Sequence, residues 1–228
     1  MFTSQRLFFK IPATTLELVQ SMAEVLGLNS KTCPAWASYN ETYLLYSKAP
    51  DAESNTGICV GAYTSGSTYN LKVALMYQGS ISSGQVISTS VNGLYELDYM
   101  LGKDCGALAI NKVDSSDKAR GFTCFYGTGK LNGSTYGMYA VKSSNAIECV
   151  CNGIRFNKTI QNNTYTESDV IAVTPLIHTS TNVISDNLYI TNNFPYLDIS
   201  QYFALGSNEF ITMWIASAGY ERLALKLK

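Results

Sequence analysis

From Ala35 onward the chain is a succession of short apolar, aromatic or β-branched segments, most of them separated by clusters of Gly, Ser, Asn or Asp. That is the pattern of strands joined by tight turns. The segments are Tyr43–Tyr46, Gly57–Tyr63, Leu71–Tyr77, Gly84–Ser90, Leu108–Val113, Phe122–Tyr126, Tyr136–Val141, Ile147–Cys151 and Val170–Val173. Asn187–Thr191, Phe210–Ala216 and Arg222–Lys228 follow near the end. The spacing predicts a mainly β fold, an antiparallel β-sandwich of jelly-roll-like or similar topology. One short N-terminal helix is predicted over about Thr15–Leu26. Thr14 and Glu17 have capping-box spacing, Leu18, Met22, Val25 and Leu26 recur at helical intervals, and Gly27 supplies the stop.

The chain has 228 residues, a length that one β-rich domain over residues 1–228 can absorb. Ser115–Arg120, charged and poor in apolar residues, is the candidate point of subdivision, and Asn157–Ser168 reads as a loop. Tyr63–Leu75, Tyr126–Val141 and Trp214–Leu225 echo one another weakly as aromatic strand, small-residue turn and second strand. At the C-terminus Ala218-Gly219 supplies a turn. Met213, Ile215, Leu223, Leu225 and Leu227 then share one face of a hairpin, with Arg222, Lys226 and Lys228 opposite.

The polar chemistry is lopsided: 16 Tyr, 17 Gly and many Ser, Thr and Asn stand against one His and 14% charged residues. Hydroxyls, amides and rings make neutral, hydrogen-bonding surfaces suited to contact with other polymers or subunits. A net charge of −1 argues against a nucleic-acid partner, which would need a basic stripe. It also removes charge repulsion as a brake on self-association. No apolar run reaches the ~18 residues of a membrane helix. No h-region follows Met1, so synthesis without secretion is expected. The six cysteines are too scattered for a small stapled scaffold, and all are expected to be reduced and mostly buried. Cys149 and Cys151, two apart on one strand, share a face and are badly placed to bridge each other. Without a leader, the sequons at Asn40, Asn132, Asn157 and Asn162 carry little weight.

Catalytic patterns are sparse. A nucleophilic triad would have to use His178, which follows Pro175, Leu176 and Ile177 and reads instead as a residue packing a strand end. No GxSxG elbow nominates a serine. Gly127-Thr128-Gly129-Lys130 fails as a phosphate loop, because Cys124 stands where its first glycine belongs and Leu131 where Ser or Thr would ligate magnesium. It reads as a glycine hairpin turn. No CxxC pair is present to set up zinc among Cys105, Cys124, Cys149 and Cys151. Asp98, Asp104, Asp114 and Asp117 have no pairing that singles out a glycosidase or calcium site. No catalytic residue, metal or cofactor is therefore assigned. Trp36, Tyr39, Tyr43 and Tyr46 are clustered in sequence, and Tyr95 and Tyr99 flank Asp98; such aromatics are able to stack on a sugar or a partner protein.

Ser185–Lys228 contains the runs DNLY (Asp186–Tyr189), NEFITMW (Asn208–Trp214) and RLALKLK (Arg222–Lys228). In these elements it resembles the C-terminal ends of minor virion proteins of tailed bacteriophages. The resemblance covers about a fifth of the chain. It implies a non-enzymatic structural subunit of tail, baseplate, neck or capsid surface, assembled in the host cytoplasm with other virion proteins or its own copies. The alternatives are a carbohydrate- or receptor-binding module, with a host glycan as partner, and a glycan-degrading enzyme.

Overall fold

The computed structural model describes residues 3–10, 29–32, 43–47, 51, 55–65, 68–78, 80–81, 85–89, 94–101, 104–112, 122–142, 146–159, 173–191, 200–213 and 222–227. Among them the regular elements are strands, and every pairing is antiparallel. The helix expected at Thr15–Leu26 lies outside the described residues, as does Ser115–Arg120. The first seven strands are β1 (Thr3–Lys10), β2 (Asn29–Thr32), β3 (Tyr43–Ser47), β4 (Gly57–Ser65), β5 (Thr68–Tyr77), β6 (Ser80–Ile81) and β7 (Gln85–Thr89). Then come β8 (Leu94–Leu101), β9 (Gly106–Lys112), β10 (Phe122–Leu131), β11 (Ser134–Lys142), β12 (Ala146–Cys151) and β13 (Ile154–Thr159). The last five are β14 (Val173–His178), β15 (Val183–Thr191), β16 (Ser200–Leu205), β17 (Asn208–Met213) and β18 (Arg222–Lys226).

Two sheets result. The larger has twelve strands with the spine β1-β8-β9-β10-β15-β18-β17-β16, extended by β11, β12 and β13 beyond β10 and by β14 beside β15. The smaller runs β2-β3-β4-β5, and β6 and β7 share the other edge of β5. β10 is the organising strand. One edge pairs with β11 from Thr123 to Leu131, while the other is divided between β9, at Phe122–Tyr126, and β15, at Gly129 and Lys130.

Turn chemistry sets these registers. Asn132-Gly133 and Asn152-Gly153 both take positive φ (50° and 83°, 49° and 70°), the pair of left-handed residues that a two-residue hairpin needs. The first of these joins β10 to β11. Gly127-Thr128-Gly129-Lys130 lies inside β10, so the glycine turn expected there is corrected by four to five residues. Asn157, expected in a loop, pairs with Glu148 inside β13.

One face of the large sheet carries the main core. Ala107, Phe125, Ala140, Cys149 and Phe156 stand in register across five neighbouring strands, so rings alternate with small residues. Leu188, Leu225 and Ile211 form a second registered row across β15, β18 and β17. Cys149 and Cys151 do share this face. Cys105, Cys124, Cys149 and Cys151 are free and buried, but Cys59 is disulfide-bonded to a partner outside the described residues. The expectation of six reduced thiols is thereby corrected. A bridge needs two Cα atoms within about 7 Å, a proximity that sequence spacing does not reveal.

The opposite face carries Tyr126, Tyr139 and Val150 in register and meets β4 and β5 of the smaller sheet along β11 and β12. Tyr139 is fully buried, its ring 5.5 Å from that of Tyr126, and its hydroxyl donates to Asp51 Oδ2 at 2.8 Å. Asp51 precedes β4 and is pinned there by its carbonyl, which accepts from Thr56 N–H at 3.0 Å. Its carboxylate occupies the space that a Cβ at position 137 would need, which makes Gly137 part of the junction. Burial pushes the Asp51 carboxyl up, against the hydrogen bond from Tyr139. Burial, then the Asp51 charge, push the Cys151 thiol up to about 12, in keeping with its place in the core.

Candidate functional site

Of the four aromatics singled out by sequence, Trp36 and Tyr39 lie outside the described residues. Tyr43 and Tyr46 are on β3, in register with Gly61 and Ile58. Asp98 lies on β8 in register with Arg6 and Ala109, Asp104 is exposed, and Asp114 and Asp117 are not described.

His178 ends β14 with its ring fully buried. The strand path β13-β12-β11-β10-β15-β14 curls until its two ends meet, and the imidazole joins them. Its Nε2 lies 2.8 Å from the Ile154 carbonyl at the start of β13. A carbonyl can only accept, so Nε2 carries the proton and Nδ1 accepts from the Thr181 hydroxyl at 2.8 Å. The Phe156 ring closes one side at 5.6 Å. A seam between strand ends thus consumes both ring nitrogens. Burial lowers the His178 pKa, against the hydrogen bond to Ile154. The unfolded chain then binds the proton more readily, so stability is full above the ordinary value of about 6.5 and falls as pH drops through it. Urea titrations between pH 7.5 and pH 5 are expected to show that loss, and His178→Gln is expected to flatten it. An equal slope in both proteins would contradict the assignment.

The polar constellation that the sequence reading missed is a bulge in β15. Between the pairs Pro175–Tyr189 and Ile177–Ile184, β15 carries four residues where β14 has only Leu176. Ser185 holds the bulge together: its hydroxyl donates to the Thr128 carbonyl at 3.2 Å and accepts from Leu188 N–H at 2.8 Å and Asn187 N–H at 3.3 Å. Asp186 and Asn187 are turned onto β10. The Thr128 N–H donates to Asn187 Oδ1 at 3.1 Å. The Thr128 hydroxyl is shared between Asn187 Oδ1 (3.1 Å) and Asp186 Oδ2 (3.2 Å). Lys130 Nζ lies 3.9 Å from Asp186 Oδ1. Gly129 makes the approach possible, since a Cβ there would come within 2.6 Å of Val183 Cγ1 and 2.9 Å of the Ile184 carbonyl. The glycines of the discarded phosphate-loop stretch are there because β15 crosses close above them. Ser-Asp-Asn, three turn-forming residues inside an apolar strand, is the signal that could have marked the bulge.

Next along β15 is Tyr189. Leu188 and Ile190 belong to the main core, so Tyr189 faces the other way. Burial and the Asp186 charge push its phenol up. Its ring meets Phe210 edge-on at 5.2 Å, across the small Ala224 of β18. Phe210 in turn stacks on Phe203 at 5.3 Å. Polar bulge and aromatic row are therefore continuous. No protein-family model, curated protein or solved structure matches the chain.

Proposed function

We propose that this chain is a non-enzymatic structural subunit of a tailed-phage virion, acting through protein–protein assembly, with its two sheets packed face to face as a β-sandwich. The contact of β4 and β5 with β11 and β12 supports the sandwich. The observation that carries the assembly reading is the use of titratable side chains as scaffold. The single imidazole sits at a strand seam, the four free thiols are buried, and Asp51 accepts from Tyr139 at the junction of the sheets. Net charge near zero leaves association unopposed. The partners are other virion proteins and further copies of this chain. The C-terminal resemblance to minor virion proteins gives the particle; the four free thiols agree with assembly in a reducing cytoplasm, and the Cys59 bridge is the feature that agrees least. Size-exclusion chromatography with light scattering, alone and with disassembled particle components, tests the reading. A defined oligomer or a stable complex is expected. A monomer with no affinity for any component would remove it.

A further inference from the structure

We infer that β16 is a self-pairing edge, at which two copies of this chain join β16 to β16, antiparallel about a two-fold axis, and merge their large sheets. The inference rests on the assembly reading and gives it a surface. Among the described residues β16 ends the spine of the large sheet and pairs with β17. The hairpin between them fixes which backbone groups look outward. Leu205 pairs with Asn208 across Gly206-Ser207, and Gly206 has a φ of 62°. A left-handed Gly at that position is what a two-residue II′ hairpin uses. The pair flanking such a turn exchanges both hydrogen bonds, and bonded and non-bonded pairs alternate from there. Leu205, Phe203 and Gln201 therefore bond to β17, while Ser200, Tyr202 and Ala204 turn their N–H and C=O groups away from it.

Charge selects the occupant. An outer strand is a template for other strands, and proteins that stay separate guard it with charge or proline. The other outer strands of the large sheet are guarded in this way: β1 carries Arg6 and Lys10, β13 carries Arg155 and Lys158, and β14 carries Pro175. β16 reads SQYFAL, with neither a charge nor a proline. In the large sheet of a second copy, the edge that matches it is therefore β16 again, neutral against neutral. A net charge of −1 lets the copies approach.

The axis settles the register. A two-fold axis perpendicular to the sheet keeps like faces together, and residues turned outward must meet residues turned outward to exchange bonds. With the axis at Tyr202, Ser200 meets Ala204 of the second copy, Tyr202 meets its own counterpart, and Ala204 meets Ser200 of the second copy. Any other setting loses one of these three pairs. The side chains agree with it. Leu188, Leu225, Ile211 and Tyr202 form one registered row across β15, β18, β17 and β16. The first three are buried, and Tyr202 is 56% exposed. The row of the main core thus runs to the sheet's edge and ends on an open ring. In the paired sheets the second copy's Tyr202 stands opposite, with Cβ atoms about 4.5–5.5 Å apart, and the row continues into the other core. Ala204, exposed on the same face, is small enough to leave room for the ring.

Sedimentation velocity of the full-length chain over a concentration series provides the test, and a reversible dimer is expected. Ala204→Pro removes an outward N–H and leaves the ladder to β17 whole, since an edge strand tolerates proline on its open side. It should raise the dimer dissociation constant at least about tenfold. Tyr202→Lys and Tyr202→Glu should each do the same, because like charges then stand opposite each other at the axis. An equimolar mixture of those two variants should dimerise again, since opposite charges then meet. Thermal melting of each variant checks the fold, and if Ala204→Pro does not fold, the variants at the exposed Tyr202 carry the test. A wild-type monomer, a dimer that survives the substitutions, or a mixture that stays monomeric would overturn the proposal. A monomer that still binds a particle component would overturn this pairing and leave the assembly reading in place.

Discussion

Truncation after Gly219 is expected to yield insoluble or unfolded protein. β18 is the last strand in sequence order, yet in the sheet it is an internal strand, paired with β15 on one side and β17 on the other. Leu223 and Leu225 are fully buried and Leu227 is 8% exposed, all within the main core. The Leu227 N–H extends the ladder past the end of the strand, donating to the Glu209 carbonyl at 2.7 Å. At about 1.5–3 kcal/mol for each buried leucine, the three contribute roughly 4.5–9 kcal/mol. A whole domain of this kind has only about 5–15 kcal/mol to lose. Soluble yield and urea unfolding of the truncated chain measure the effect, and Leu225→Ala, at about 2–5 kcal/mol, gives the graded version. A truncated chain that stays folded but no longer assembles would make the hairpin a docking arm and refute its place in the core.

Tyr139→Ala is expected to lower stability by about 3–5 kcal/mol, the range for deleting a fully buried aromatic ring. Two layers lose together here: the ring packs on Tyr126 within the large sheet, and the hydroxyl ties that sheet to Asp51 ahead of β4. Tyr139→Phe separates these contributions. It keeps the packing and removes one donor to a half-buried carboxylate, at about 1–3 kcal/mol. The pH dependence carries a sign. A carboxyl raised by burial stabilises the fold fully below its unfolded value of about 3.9, and that contribution is lost as pH rises through the folded value. The Tyr139 hydrogen bond opposes the shift, so the gap between wild type and Tyr139→Phe should widen from pH 4 to pH 7. Denaturant midpoints across that range measure it, and a constant gap would mean that the hydroxyl does not serve the ionised form.

Most of the strand content was legible in the residues. Gly57–Tyr63, Phe122–Tyr126, Tyr136–Val141 and Ile147–Cys151 all fall within observed strands, because each is dominated by apolar or aromatic residues. β1, β8, β13 and β16 were not read as strands. Their sequences, TSQRLFFK, LYELDYML, IRFNKT and SQYFAL, mix charge or amide with rings, and local pattern does not separate such segments from loops. β14 was placed too early, with only Val173 shared, since Pro175 argues against a strand unless that strand is an edge pairing on one side, as β14 is.

By itself, then, the sequence determined the class of the fold and much of its punctuation. Residue period and turn residues act within a few positions of the chain: alternation selects strands, Asn-Gly selects the two-residue hairpins, and a terminal run of alternating leucines selects a buried strand. Tertiary structure alone decided what depends on partners far along the chain. It divided one edge of β10 between β9 and β15, set Asp51 against Tyr139 across 88 residues, and placed Thr128 on Asp186 and Asn187 across 58 and 59. Those contacts are made by side chains whose types are common everywhere in this chain. Their roles come from approach distances of about 3 Å between strands, and no local rule of spacing encodes which strands will meet.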